Sequence, residues 1–221
     1  MSRPAEAVLA CPECHHRQTL RTWDSIDGPE DPELKQELLA GTLHSFTCEK
    51  CGHAAAIART LLYRDRAKGV MIHWIVEPDP VTTSGLQLRY EESPLCRLVR
   101  SRDDLLEKIR ILDDGLDDRV VELAKYILGA QLAKERGADD LRLWYLGPAK
   151  GSKRGHGEIE FVVECHGDHD TFPVPHGFLE EMKKKFTQNA PDPKTEHGKW
   201  LEVDRAYVQN WLQQLRQPKN P

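Results

Sequence analysis

Apolar positions along the chain fall into two periods, and the changes between them divide it into elements. Residues 1–10 carry little pattern and read as a short, partly frayed lead-in. Residues 18–23 alternate, with Leu20 and Thr22 on one side, which predicts a strand. Leu34, Leu38 and Leu39 are spaced for a short helix. Asp31 stands as its cap, Pro32 as its first residue and Gly41 as its stop. Residues 42–47 read as a strand. Residues 53–64 form a long, mostly apolar run, expected as one strand, although Ala54, Ala55, Ala56 and Ala58 also suit a helix. Residues 70–76 are rich in β-branched side chains and predict a strand paired with that run across a turn at 65–69, with Pro78-Asp79-Pro80 ending it. Residues 86–90 and 96–100 are shorter strand candidates, and Trp74 and Cys96 are expected in the core.

The period then changes to that of helices. Leu105, Leu106, Ile109 and Leu112 share one face of a helix over 102–112 that Ser101 can cap. Beyond Gly115, the residues Leu116, Val120, Leu123, Ala124, Ile127, Leu128 and Leu132 mark a longer helix over 116–136. Asp117 and Asp118 at its start and Lys134 and Arg136 at its end suit the helix dipole, and Gly137 closes it. Two-residue alternation returns at 141–146 and at 158–164, where Ile159, Phe161 and Val163 share a face. A turn at 166–169 leads to a returning strand at 171–174. A helix over 175–188 buries Phe178, Leu179, Met182 and Phe186. Pro191 and Pro193 mark a loop, and 201–203 read as a short edge strand. Asp204 then caps a last helix whose buried stripe is Tyr207, Val208, Trp211, Leu212 and Leu215.

These elements predict an α+β fold. An antiparallel sheet comes first, then two helices, then a small α+β C-terminal unit. The expected domains are 1–136 and 137–221. At 221 residues the chain has room for one large or two small domains. Hydrophobic residues make up 39% and charged residues 30%, with a net charge of −5, and neither half is basic. That balance argues against a general nucleic-acid binder. No apolar run is long enough to span a bilayer, so no membrane partner is expected, and residues 1–11 do not form a signal peptide.

Cysteine spacing changes the picture most. Cys11-Pro12-Glu13-Cys14 and Cys48-Glu49-Lys50-Cys51 are two Cys-x-x-Cys pairs, and Gly52 follows the second. One such pair alone is also the spacing of a redox dithiol. Two together supply four soft ligands for one tetrahedral cation, so Cys11, Cys14, Cys48 and Cys51 are the expected ligands of a structural Zn²⁺. Iron fits the same geometry, and the first sheet is accordingly expected to be a zinc-ribbon-like antiparallel β-sheet. In a reducing cytoplasm, where the chain is expected to reside, such pairs favour metal over disulfides.

Cys-Pro-Glu-Cys, a helix-containing insert, Cys-Glu-Lys-Cys-Gly-His and a strand pair resemble the CpXC-domain proteins of bacteria and archaea. Leu112-Asp113-Asp114-Gly115-Leu116-Asp117-Asp118 and the helix after it are similar as well. The resemblance spans roughly residues 9–128. It implies a metal site on the same four cysteines in a bacterial protein, and no particular activity.

Other clusters carry weaker chemistry. His15, His16 and His53 flank the pairs and read as turn histidines rather than ligands. Cys165, His166 and His169, with Asp168, Asp170 and His176 nearby, offer ligands for a second metal or a Cys–His catalytic pair. Strand alternation sets Cys165 and His166 on opposite sides, which argues against the metal, and nothing marks an oxyanion hole or a second partner for a catalytic pair. The basic loop 150–157 lacks the spacing of a phosphate loop and, like Lys183-Lys184-Lys185, reads as a solvated face. The expectation is therefore a zinc-stabilised interaction or regulatory scaffold whose partner is a protein. An enzyme around Cys165, His166 and His169, and a zinc-ribbon nucleic-acid binder, are the alternatives.

Overall fold

The computed structural model describes residues 2–76, 94–138, 141–152, 157–188 and 196–216. In chain order the first elements are β1 (Arg3–Ala10), β2 (Arg17–Asp27), α1 (Pro32–Ala40), β3 (Ser45–Thr47), β4 (Ala54–Ala56), β5 (Leu61–Asp65), β6 (Val70–Trp74) and β7 (Leu95–Val99). They are followed by α2 (Arg102–Asp113), α3 (Asp118–Arg136), β8 (Leu141–Pro148), β9 (Glu158–Cys165), β10 (Asp168–Pro175), α4 (His176–Thr187), β11 (Trp200–Leu201) and α5 (Arg205–Arg216). The fold is α+β, as the periodicity predicts. The chain divides into two compact units: Met1–Leu106 with Glu196–Leu201, and Glu107–Thr195 with Glu202–Pro221. The sequence boundary at 136 groups α3 with the first unit, whereas α3 belongs to the second.

The first unit is built on a six-stranded sheet in the order β1-β2-β5-β6-β7-β11. The pairs β1/β2 and β5/β6 are antiparallel, as expected of hairpins, while β2/β5, β6/β7 and β7/β11 are parallel. Every residue of β6 is buried, which fits its β-branched composition and its place inside the sheet. Tyr63 and Ile72 lie opposite each other in the core. Gly28 is required beside Tyr63, because a Cβ there would overlap the phenol oxygen and come within 2.9 Å of Cζ. Arg97 Nη2, in the sheet interior, lies 3.6 Å from Glu196 Oε2 and ties the 196–201 segment to β7.

Three expectations change in this unit. Residues 3–10 are not a frayed lead-in but a strand paired along its length with β2, from Arg3 opposite Ser25 to Ala10 opposite Arg17. Its alanines carry little strand propensity, so the partner decides its conformation. The run 53–64 is two strands: β4 pairs with β3 in a separate small hairpin, and β5 joins the large sheet. Asp31 does stand before α1, but its side chain makes no cap; its Oδ2 instead accepts from Ser2 N and Ser2 Oγ at 3.2 and 2.5 Å. The helix ends as expected at Gly41, in the left-handed region at φ 80°. The strand candidate 86–90 lies outside the described residues, as do Pro78-Asp79-Pro80, Pro191 and Pro193.

The second unit packs α3, α4 and α5 with the sheet β10-β9-β8. Ile159, Phe161, Leu179, Met182, Phe186, Val208 and Trp211 are all buried in one cluster. Asp117 caps α3, its carboxylate accepting from the Arg119 amide at 3.0 Å, and Gly137 closes the helix at φ 63°. Asp204 Oδ1 accepts from Tyr207 N at 2.9 Å at the start of α5. The apolar stripe of α5 stops short, because Leu215 is exposed.

Candidate metal centre

The two Cys-x-x-Cys pairs occupy the tips of two hairpins with the same construction. Ala10 pairs with Arg17 across residues 11–16, and Thr47 pairs with Ala54 across residues 48–53. In the first tip Cys11 N donates to His16 O at 2.8 Å, and His15 N to Cys11 O at 2.9 Å. In the second Cys48 N donates to His53 O at 2.8 Å, and Gly52 N to Cys48 O at 2.9 Å. The residue after each second cysteine takes a positive φ, 57° at His15 and 73° at Gly52. Glycine adopts that conformation without steric cost, while His15 is held in it. His16 and His53 therefore act through their backbone carbonyls.

The hairpins bring the four sulfurs within 4.8 Å of one another. Cys11 Sγ and Cys51 Sγ are 3.6 Å apart, and Cys14 Sγ and Cys48 Sγ 3.5 Å. A tetrahedron with Zn–S bonds of about 2.3 Å has edges of about 3.8 Å. The cluster thus has the ligand set and approximate spacing to hold a metal ion. Its floor is apolar: Cys11, Phe46 and Cys48 are buried, with Leu20, Ala55 and Ile57 packed against them. Cys14 is half-buried and Cys51 exposed, so the site lies at the surface with one face open.

The thiols are polarised by their crowding. Burial opposes ionisation of Cys48, but the backbone amides of Cys51 and Lys50 and the neighbouring thiols of Cys14 and Cys51 outweigh it, and its pKa falls to about 6. At Cys51 the His53 amide favours the thiolate, yet Cys14, burial, Cys48 and Cys11 oppose it, and its pKa is pushed up to about 12. Four adjacent sulfurs cannot all carry negative charge unless a cation is among them.

One residue that the cysteine spacing does not reveal joins the two tips. Gln18 is buried, donates from Nε2 to Thr47 O at 3.0 Å and accepts at Oε1 from Glu49 N at 3.0 Å. The signal was a polar side chain on the same strand face as Leu20 and Thr22. His44 is a second residue that the cysteine spacing does not reveal, though it bonds β2 rather than a tip. It sits at φ 58°, and its Nε2 accepts from Trp23 N at 2.9 Å, which only an unprotonated nitrogen can do. Burial, with the Arg59 and Arg102 guanidiniums, holds the imidazole below its usual range.

The 165–170 cluster forms differently from the expectation. His166 at φ 53° and Gly167 at φ 88° make a two-residue turn between paired Cys165 and Asp168. The turn interrupts the alternation and brings Cys165 Sγ to 3.3 Å from His166 Nδ1. His169 lies opposite Glu164 instead, and Asp170 accepts from Arg136 at 3.0 Å. Among the described residues, the four cysteines are the one metal-suited group of three or more.

The second unit holds a buried ionic network that the sequence reading missed. Lys125 Nζ donates to Glu107 Oε2 at 2.9 Å and to Glu122 Oε2 at 2.8 Å. Glu107 Oε1 accepts from Tyr145 N at 2.6 Å, and Tyr145 Oη donates to Asp114 Oδ2 at 2.9 Å. Lys108 Nζ donates to Val203 O at 2.7 Å and lies 3.2 Å from Asp118 Oδ2. Burial pushes the Glu107 carboxyl up, against the pull of Lys125. Burial also opposes the charge on Lys125, but Glu107 and Glu122 hold its ammonium protonated.

No curated protein and no solved structure matches the chain. A family model described as CpXC protein matches residues 9–125. The match spans more than half of the chain, takes in both cysteine pairs and ends on Lys125, so this chain belongs to the CpXC protein family.

Proposed function

We propose that Cys11, Cys14, Cys48 and Cys51 hold one structural Zn²⁺. On this reading the protein serves as a zinc-dependent protein-interaction or regulatory scaffold in a bacterial cytoplasm. The observation that carries the proposal is the convergence of four sulfurs within 4.8 Å from two hairpin tips. Four thiolates complete a tetrahedral shell and leave no position for a water or substrate, which is the coordination of a structural site rather than a catalytic one. Thiolate ligands favour zinc over hard cations. The net charge of −5 favours a protein partner over nucleic acid. No described helix is long and apolar enough to cross a membrane.

Elemental analysis of the purified chain tests the metal, with about one zinc per chain expected. Affinity capture with the zinc-loaded and the chelator-stripped chain tests the scaffold role. Partners retained only by the loaded chain support it, and a partner set dominated by salt-sensitive nucleic acid counts against it. A second reading, an enzyme centred on Cys165, His166 and His169, draws support from the 3.3 Å Cys165–His166 contact. If Cys165→Ala and His169→Ala chains complement a deletion as well as the wild type does, that reading is excluded.

A further inference from the structure

We propose that the cysteine centre is also a site of oxidative modification by peroxide, with Cys51 as the entry sulfur and Cys11 as the partner that closes a disulfide. The inference rests on the zinc reading above. It comes from an asymmetry within the cluster. Cys11 is 0% exposed and Cys48 2%, whereas Cys51 is open to solvent and Cys14 lies between. A soluble oxidant therefore meets Cys51 Sγ first, because attack requires access to the sulfur as well as thiolate character. Bound zinc supplies that character by holding its ligands deprotonated.

The chemistry balances with hydrogen peroxide as oxidant. The Cys51 thiolate attacks one peroxide oxygen, the O–O bond breaks, and hydroxide leaves, giving Cys51 sulfenic acid. The sulfur contact is then ready: Cys11 Sγ is 3.6 Å away. The Cys11 thiolate attacks the Cys51 sulfur, forms the S–S bond and expels a second hydroxide. The two sulfurs together lose two electrons and the peroxide gains two. With two protons from solvent, both hydroxides become water. Reaching bonding distance from 3.6 Å takes a shift of about 1.5 Å, which side-chain rotation at the exposed tip can supply. With Cys11 and Cys51 joined, only Cys14 and Cys48 would remain to hold a metal, too few to close a tetrahedral shell. The new bond joins the first hairpin to the second, so the two tips stay tied after the metal leaves, and a dithiol reductant with added Zn²⁺ restores the thiolate centre.

The alternative pairing lies within one hairpin, Cys48 with Cys51 or Cys11 with Cys14, as in a redox dithiol. The test uses the zinc-loaded full chain carrying Cys165→Ser, which removes the partly exposed thiol outside the centre. Zinc is quantified before treatment. Hydrogen peroxide is then titrated in while a chromogenic chelator reports released zinc and non-reducing peptide mass spectrometry maps the disulfides. The expected result is loss of the bound zinc in step with a Cys11–Cys51 link, reversed by a dithiol reductant and Zn²⁺. In a parallel sample without peroxide, limiting N-ethylmaleimide labels Cys51 before the other three. This readout uses the intact centre and needs no substitution among its four cysteines. A first disulfide within either hairpin overturns the proposal, as does first labelling at Cys14 or zinc retained at peroxide concentrations that fully oxidise wild-type Cys165. A reduced chain that contains no zinc before peroxide overturns the metal reading, and with it the source of thiolate character at Cys51, whereas a zinc-loaded chain with the wrong first disulfide overturns the pairing alone.

Discussion

Four thiols converge within 4.8 Å in the first unit, while in the second Glu107 and Glu122 converge on Lys125 Nζ at 2.9 and 2.8 Å. Both clusters gather groups that repel one another when ionised. The carboxylates receive their cation from the chain itself, from α3, which carries Glu122 as well, while Glu107 reaches it from α2. The sulfurs offer only negative charge and call for a cation from solution. The two units therefore differ in what their stability depends on. On the proposed reading one is linked to metal concentration and the redox state of the medium, the other to the completeness of a salt-bridge network.

The sharpest way to break the comparison is Cys11→Ser. It removes a buried ligand, and structural zinc contributes about 10–16 kcal/mol in small zinc peptides at neutral pH. The expected result is a fall from one bound zinc to none after desalting. Hydrogen exchange should lose protection in residues 3–56 and keep it in α3, β8 and β9. Retained zinc, or equal loss in both units, would refute the assignment. Next in size is Lys125→Ala, which leaves Glu107 and Glu122 buried without their ammonium and should cost about 3–5 kcal/mol. Denaturant unfolding followed in the second unit measures it, and chelator should leave that loss unchanged.

Gln18→Ala comes third. It strips the Thr47 carbonyl and the Glu49 amide of their shared partner, at about 1–3 kcal/mol. Loss of a group that orients metal ligands also weakens zinc binding by about 10–100-fold, measurable by chelator competition. A variant that binds zinc as the wild type does would show that the clamp is dispensable.

The smallest effect concerns pH. The His44 imidazole is held below its usual range in the folded chain and titrates near 6.5 when unfolded. The unfolded chain therefore takes up a proton first as pH falls. The contribution is fully present above about pH 6.5 and is lost below it, at up to about 1.4 kcal/mol per pH unit. His44→Gln, whose amide oxygen can still accept from Trp23, should show a shallower decline than the wild type between pH 7 and 5. Parallel profiles would remove His44 as the cause.

Much of this was legible in the residues because it is local. Ser101 donates no pattern beyond its own helix, and its Oγ accepts from Asp104 N at 3.1 Å as expected. Gly41, Gly115 and Gly137 end their segments at positive φ for reasons contained within a few residues. The cysteine pairs belong here too, because a tip that aims two sulfurs at one point closes within six residues. What failed was non-local. Strand β1 exists because β2 lies beside it, and the run 53–64 divides because β4 and β5 have different partners. Cys165 and His166 meet because a turn intervenes where alternation was assumed.

Spacing, caps and periodicity act over a few residues, and the α+β class, the family and the four sulfurs follow from them. Long-range packing is what makes β1 a strand, sets Gln18 as the clamp between the two tips and leaves Cys51 alone of the four open. It also decided that Lys125 from α3 answers Glu107 from α2 against the Tyr145 amide of β8. Burial and the pairing of distant charges depend on which surfaces meet, and no short stretch of residues encodes that meeting.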